Sequence, residues 1–559
     1  MEMKKQKKII GGMILVLAVT ACASFFKSAA EEIAQEETSE IYQNEIKTIY
    51  TEAYQDEVET QIEEEKSSGA YTEDNMLIKE NPYGTNTLSL YVYFTTQEPV
   101  SVSYNVSVPD LSIGDFSQTP EGEGRFDTEH EFQVMGLIPE ECNTITFTLT
   151  KEDGSVEIYS YVHEMGELSG KEEIQLKQTE AAEGSETVSD GLYVVLGNDS
   201  DEEDFMYYYD NSGVLRGEIP LIGYRSHRLL FRDDCMYYSI SESKIAAVNH
   251  LGKAEKIYDT GTYSLHHDYV FDENGNMLIL ATDTTQDSVA DIVLKLDVNS
   301  GEVTEVLDLG DLFGEYKKTC VKNSSDELDW MHINTIQYIG NGSVLLSSRE
   351  TSTIIKVDNI YDGPVVSYMI GEKDFWKDTS YVSLLLNKKG DFTIQGGQHT
   401  ITYETDESLA DGQYYLYMFD NNIGISETRP DYDWSSIGLK VSSAVDGKNS
   451  KYYKYLVDEN EGTFELVDSF KVPYSRYVSS AQEIGDNVLV DSGLKGTFTE
   501  YDADHKAIVT YKMDYEKFIY RVFKYKFDGF YFEKNDIMLN IKYGWNEARI
   551  ESLLNSVDN

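Results

Sequence analysis

The chain is poor in positive charge, cysteine, proline and histidine. Of 559 residues, 46 are Lys or Arg against 100 Asp or Glu, a formal net charge of −54. A surface of that sign repels phosphate backbones, which excludes nucleic acid as a partner. The four cysteines, Cys22, Cys142, Cys235 and Cys320, include no close pair and no CxxC. Neither a disulfide framework nor a cysteine-based zinc site is encoded, and the last three read as buried free thiols. GxxxxGK[ST], GxSxG and HExxH are all absent. Their absence removes a P-loop nucleotide site, the usual serine-hydrolase elbow and a zincin centre. Only nine prolines and nine histidines occur, so each polar, turn-adjacent histidine is worth locating.

Tyrosine and phenylalanine are plentiful instead, 42 and 22 residues in a chain that is 40% hydrophobic. Aromatic side chains suit a half-buried pleated surface, so the composition favours strands. The length calls for two or more domains. At the N-terminus, basic "MEMKKQKK" precedes apolar "IIGGMILVLAVTAC", ending in Val19-Thr20-Ala21-Cys22. That ending resembles a bacterial lipobox, which makes residues 1–22 an export signal and Cys22 a lipidated first residue. The alternative is an uncleaved signal anchor running to Phe26, since about 18–20 apolar residues span a bilayer. Either reading places the protein outside the cytoplasm and on a membrane.

Residues 23–78 are expected to form an acidic helical stalk. Positions 31–66 carry thirteen Asp or Glu against two Lys, and Ile46, Tyr50, Tyr54, Val58 and Ile62 recur every fourth residue, one stripe of a helix. The same stripe would serve a homodimer. From "NPYGTNTLSLYVYFTT" the period changes to two, and residues 79–180 fit a small β-sandwich. The polar run at 177–190 reads as a linker. Over 190–559 a strand, an Asp/Asn/Gly turn and a second strand keep returning, as in "YVFDENGNMLILAT", "QYIGNGSVLLSS" and "YLVDENEGTFELVD". At about 60 residues per four-stranded blade the repetition predicts a six-bladed β-propeller, and an all-β fold overall. "DENGN" lacks the later bidentate Glu of a calcium loop and is read as a hairpin turn.

The candidate chemistry lies in histidines at the heads of strand segments: His266 and His267 in "LHHDYVFDENGN", His332 in "DWMHINTIQYIGNG" and His399 in "GGQHTI". They recur about 65 residues apart, one per blade, and a propeller gathers equivalent blade ends at one channel mouth. The other five, His130, His163, His227, His250 and His505, read as ordinary surface histidines. Arg349 follows His332 by seventeen residues. The hairpin's return either brings its guanidinium to that histidine or leaves it paired with Glu350 at the surface. Asn334 shares a strand face with His332. Tyr474, in "VPYSRYVSS", is a candidate wall for an aromatic ligand.

"HHD", "DWMHIN" with a downstream "SSR", and "GGQH" followed by "YLYMFDNN", in that order after an "NPYG" start, resemble the bacterial PAPS-independent arylsulfotransferase family over residues 80–540. The resemblance implies transfer of a sulfuryl group from an aryl sulfate donor to a phenolic acceptor by a ping-pong route, with no cofactor and no metal. It makes His399 the nucleophile that becomes a sulfohistidine. His267, His332 and Arg349 become residues that hold the sulfuryl oxygens, and Asn334 the amide that orients the nucleophile; His266 adjoins the substrate. Elementary chemistry agrees. Neutral imidazole is a usable nucleophile near neutral pH, two displacements at one atom need no nucleotide carrier, and cationic and N–H donors stabilise the spreading charge. A histidine near the phenolic oxygen, assigned to His332, would protonate the departing aryloxide. The glycine pair before Gln398 is expected to admit the bulky ester. Two other readings use the same residues. One is a metal-dependent propeller lyase or lactonase with the histidines as Mn²⁺ or Zn²⁺ ligands. The other is a non-catalytic adhesin or sensor.

Overall fold

The computed structural model describes residues 42–532 except 110, 123–124, 171, 180–186, 198–204, 440–447 and 516. The export signal and Cys22 lie outside the described residues.

The first β unit is built around one 19-residue strand, Ser89–Ser107. Its first half pairs antiparallel with Leu77–Glu80 and Asp127–Met135, its second half with Phe116–Gln118 and Cys142–Lys151, and Val156–Glu164 edges the latter. The register breaks between Thr95 and Val100, which lets one strand serve both layers of a sandwich. Alternation then fills the space between them: Val100, Val102, Tyr104 and Val106 are buried on one face, and the Phe132 ring meets Tyr104 at 6.5 Å and Phe147 at 6.3 Å.

Six further sheets make a six-bladed propeller. From the axis outward, blades two to four run Leu230–Arg232 to Ala254–Asp259, Tyr263–Phe271 to Val303–Asp308, and Ile333–Gly340 to Val365–Ile370. Blade five opens on His399–Glu404 and blade six on Ser480–Ile484. The ring closes at blade one, where the C-terminal strand Val522–Tyr525 pairs antiparallel with Leu192–Val195 as the innermost strand. Lys177–Thr179, within the run read as a linker, pairs with Ala507–Lys512 as an outer strand of blade six. "DENGN" closes a hairpin: Asp272 Oδ1 accepts from the backbone N–H groups of Asn274 and Asn276, both at 2.8 Å.

The acidic segment forms a helix over Glu52–Ser68, with the Thr51 hydroxyl accepting from the Tyr54 amide at its start. It lies against the body. Ile46, Tyr50 and Ile62 of the stripe are buried, and the Tyr50 hydroxyl donates to the Pro220 carbonyl at 2.8 Å. Gln55 joins helix, sandwich and blade two: its Nε2 donates to the Tyr83 carbonyl and its Oε1 accepts from the Ala254 amide. The apolar stripe offered for a second copy is therefore taken up by the chain's own body. Of the three thiols expected to be buried, Cys235 and Cys320 are half-buried and Cys142 is exposed; all three are free.

Candidate active site

At or within the inner strands of blades three to six lies backbone that L-residues rarely adopt. His267, His332, Thr400, Val478 and Ser479 have φ of 60°, 48°, 50°, 52° and 86°. Each non-glycine residue held there costs about 1–3 kcal/mol, a strain that clusters at functional sites. Pairing registers also break between Leu265 and Tyr269 and between His399 and Thr402. These departures from regular strand turn side chains toward neighbouring blades, so that the rings of His267 and His332, on different blades, stand 4.7 Å apart.

His399 is 3% exposed. Its Nδ1 lies 2.7 Å from Asn421 Oδ1 and 3.1 Å from the Gly397 carbonyl. The amide's orientation is fixed by its other end, because Asn421 Nδ2 donates to the Ser475 and Val478 carbonyls at 2.9 and 3.2 Å. With Oδ1 toward the ring and a second carbonyl beside it, Nδ1 must carry the proton. Nε2 is then a bare lone pair, without a hydrogen-bond partner among the described residues and not sealed from solvent. Burial pushes the imidazole down to about 3; the Asn421 bond opposes this, and Arg349, His332 and Arg521 add to it. Burial therefore favours the neutral ring.

His332 Nδ1 is 2.6 Å from Asp329 Oδ2. Arg349 Nη2 stands 3.7 Å from that same oxygen and donates to Glu350 Oε1 at 2.8 Å. Glu350 is buried and accepts the Glu427 amide on its other oxygen at 2.7 Å. Arg349 thus pairs with a buried Glu350 and not with one at the surface, and its guanidinium also stands near the carboxylate that holds His332. A Cβ on Gly397 would lie 3.9 Å from Arg349 Cγ, so the guanidinium's stem passes beside the turn that carries His399.

On blade three His267 faces the channel group, with Nδ1 3.1 Å from the Tyr520 hydroxyl. His266 packs behind it with ring centroids 5.0 Å apart. Burial holds His266 down at about 4 and His267 well below its ordinary value. Beneath them Asp268 takes Arg228 at 2.9 Å and Arg521 at 3.2 Å. Arg521, fully buried, also donates to the His227 and Asn334 carbonyls. One guanidinium thereby ties blades two, three and four to the closing strand.

Several sequence readings need correction. Asn334 makes no hydrogen bond to the His399 ring; its Nδ2 donates to the Gln398 carbonyl at 2.8 Å, steadying the backbone before His399, while Asn421 holds the imidazole. Tyr474 is paired with Lys448 at 3.2 Å, and the tyrosine at the histidines is Tyr520. Of the glycines before Gln398, Gly396 serves packing, since a Cβ there would stand 2.8 Å from both the Ile423 carbonyl and Leu439 Cδ2, and Gly397 serves the turn with its φ of 61°. His227 and His130 are buried, not superficial. His227 packs against Tyr520, 5.7 Å between centroids, and His130 on Phe94 at 4.8 Å. Asn421, Asp329, Tyr520 and Arg521 were not singled out from the sequence, although "DWMHIN" and "YLYMFDNN" contain the first two.

Residues 177–526 match the family model Arylsulfotransferase (ASST), and residues 77–166 match the model Arylsulfotransferase Ig-like domain. No curated protein matches the sequence. Among solved structures, a candidate 6-phosphogluconolactonase from Bacteroides fragilis is 11% identical, over 77% of this chain and 98% of that one, with a TM-score of 0.33. A second from Bacteroides uniformis is 12% identical over 76% and 99%, also 0.33. Apo AztD from Citrobacter koseri is 9% identical over 76% and 98%, at 0.28. Likeness at that level bears on neither substrate nor chemistry.

Proposed function

The chain belongs to the arylsulfotransferase family, and from that premise we propose that it moves a sulfuryl group from a phenolic sulfate ester to a second phenol, through a sulfohistidine at His399 and without PAPS. Family membership makes it a transferase of sulfuryl groups; the two-step route is our reading. One observation carries it. Asn421 fixes the His399 proton on Nδ1 and leaves Nε2 without a hydrogen-bond partner among the described residues, in a ring near enough to Arg349 and His332 to feel their charge.

In the first displacement Nε2 attacks sulfur, the N–S bond forms as the S–O(aryl) bond breaks, and the aryloxide takes a proton from His332 Nε2. The ring becomes cationic as it is sulfurylated, and the Nδ1–H···Oδ1 bond to Asn421 strengthens with it. In the second, an acceptor phenol gives its proton back to His332, its oxygen attacks sulfur, and the N–S bond breaks to return the Nε2 lone pair. Arg349 offers N–H groups to the sulfuryl oxygens in both steps. The Tyr520 hydroxyl donates its proton to the His267 carbonyl and so accepts from His267 Nδ1, which holds the His267 ring in place beside His332. The metal-dependent alternative has no specific support, since among the described residues no three His, Cys, Asp or Glu side chains gather at metal-binding spacing.

The export signal, the lipid anchor at Cys22 or a signal anchor, and a site of action outside the cytoplasm belong to the same proposal; the lipobox-like VTAC supports them. The test is direct. Incubated with an aryl sulfate alone, the wild type gains one acid-labile SO₃ on the peptide containing His399, and His399→Ala abolishes exchange between a sulfated and a free phenol. Label on another residue, or exchange surviving in His399→Ala, refutes the reading.

A further inference from the structure

We propose that Asp329 is the positioning residue that makes His332 the proton carrier of both displacements and, through the same oxygen, ties that carrier to the Arg349 clamp. The inference rests on the sulfohistidine reading and adds a residue to it.

The geometry comes from three neighbours in sequence. Trp330 and Met331, between Asp329 and His332, are both fully buried. Trp330 Nε1 donates to Asp291 Oδ2 at 2.8 Å, and the Met331 carbonyl accepts the Ser348 hydroxyl at 2.6 Å and the Glu350 amide at 3.3 Å. The His332 carbonyl accepts the Arg349 amide at 3.2 Å. With both flanks pinned, the positive φ at His332 folds its ring back onto the carboxylate three residues earlier. The contact is built by the loop.

Asp329 is 9% exposed. Burial would raise its carboxyl, yet the adjoining His332 ring and Arg349 guanidinium hold it below the ordinary range. It is therefore an acceptor only, and His332 Nδ1 must be its donor. Like a carboxylate behind any catalytic imidazole, it fixes the tautomer and steadies the imidazolium that forms. His332 then works at Nε2 alone. When the aryloxide leaves, the Nε2 proton moves to its oxygen and His332 becomes neutral; when the acceptor attacks, the phenol's proton returns to Nε2. Asp329 gains and loses no proton in either step. Among the described residues Asp329 Oδ1 has no hydrogen-bond partner, and Oδ2 carries both contacts, so the oxygen that orients the proton carrier is also the one nearest Arg349.

A structural role would slow every donor alike; a role in proton transfer would not. Protonation matters little when 4-nitrophenolate leaves and much when unsubstituted phenolate leaves. Asp329→Asn is expected to lose about 10²–10³-fold in transfer from phenyl sulfate and less than about tenfold from 4-nitrophenyl sulfate, the size of a general-acid contribution. It should still accumulate sulfohistidine from the nitrophenyl donor. Equal losses for the two donors overturn the inference while the sulfohistidine reading stands. Absence of sulfohistidine in the wild type overturns that reading itself. Should Asp329→Asn fail to fold, ¹⁵N-histidine spectra of the wild type decide. A proton on His332 Nδ1 supports the inference, and a neutral ring protonated only at Nε2 overturns it.

Discussion

Replacing Asn421 tests the proposed nucleophile most directly. Its amide makes three bonds at a fully buried position: it accepts from His399 Nδ1 and donates to the Ser475 and Val478 carbonyls. In Asn421→Ala not all three are lost outright. The Ser475 carbonyl keeps the Ser450 hydroxyl at 3.1 Å, and His399 Nδ1 keeps the Gly397 carbonyl at 3.1 Å. The Val478 carbonyl loses this donor with no side chain to replace it, and a small cavity opens. At about 1–3 kcal/mol for a buried group left unsatisfied, the folded state should lose about 2–3 kcal/mol rather than three times that. The chemical step should suffer separately. The ring is freed to rotate and to place its proton on Nε2, and the bond that strengthens as the ring becomes cationic is gone. Removing one preorganised partner of developing charge costs about 10²–10³-fold in rate, or about 2.7–4 kcal/mol. Rapid-quench formation of sulfohistidine from 4-nitrophenyl sulfate isolates that step. Asn421→Asp separates the two effects, since its carboxylate still accepts from Nδ1 but cannot donate to either carbonyl. It should be the less stable variant and the faster one. A folded Asn421→Ala that sulfurylates His399 at the wild-type rate would refute the argument.

Four histidines, three of them buried and His267 half-buried, set an acid limit. The folded values of His399 and His266 are about 3 and about 4, and those of His267 and His227 lie well below the ordinary 6.5. Below pH 6.5 the unfolded chain therefore binds protons that the native state refuses, and stability falls with pH by about 1.4 kcal/mol per unit for each ring. In urea titrations His227→Phe should lose about 2 kcal/mol less than wild type between pH 7.5 and 5, and identical losses would refute the assignment. Arg521→Met strands Asp268 with Arg228 alone and frees two buried carbonyls. A drop of about 3–5 kcal/mol in unfolding free energy is expected, and one below about 1 kcal/mol would contradict its role as the pin. Gly396→Ala should lower stability by about 1–3 kcal/mol through overpacking against Ile423 and Leu439. A change confined to KM would restore the idea that this glycine admits substrate. Because the net charge of −54 repels an anionic donor, kcat/KM for aryl sulfates should rise several-fold from 10 to 150 mM salt as the Debye length falls from about 30 to 8 Å. A fall would show that local positive charge governs approach.

The propeller was legible because its signal is local and repeated. Each hairpin turn, such as Asp272–Gly275, announces itself in four residues, and six sheets follow from the spacing. The closing strand was not legible. Val522–Tyr525 is four residues long, and its partner Leu192–Val195 lies over 300 residues earlier, so no window of sequence contains the pairing. Lys177–Thr179 fails for a different reason. All three residues are exposed, and an outer edge strand with nothing to bury carries no hydrophobic period. The acidic helix was found, but its setting was not. Its stripe is equally suited to a stalk, a partner or the body, and only tertiary contacts such as Gln55 with Tyr83 and Ala254 choose among them.

The site divides along the same line. Histidines spaced one per blade were readable because the fold supplies the convergence and the sequence need only supply the period. What tells one imidazole from another is carried by second partners at no fixed spacing. Asn421 is 22 residues from His399, Tyr520 is 253 from His267, and Arg521 is 187 from Asn334. Asn334 shows how spacing misleads: two residues past His332 it does share a strand, but bulged and left-handed inner strands rotate its amide onto the Gln398 carbonyl. Only Asp329 was within local reach, three residues before His332. Whether an i, i+3 pair in irregular backbone meets depends on the local φ values, and although His enters the left-handed region more often than most residues, that preference is too weak to mark His332 in advance. The resulting division is physical. Histidine spacing puts His267, His332 and His399 on successive blades, and what each Nδ1 meets is set by side chains as remote as Asn421 and Tyr520 or as near as Asp329.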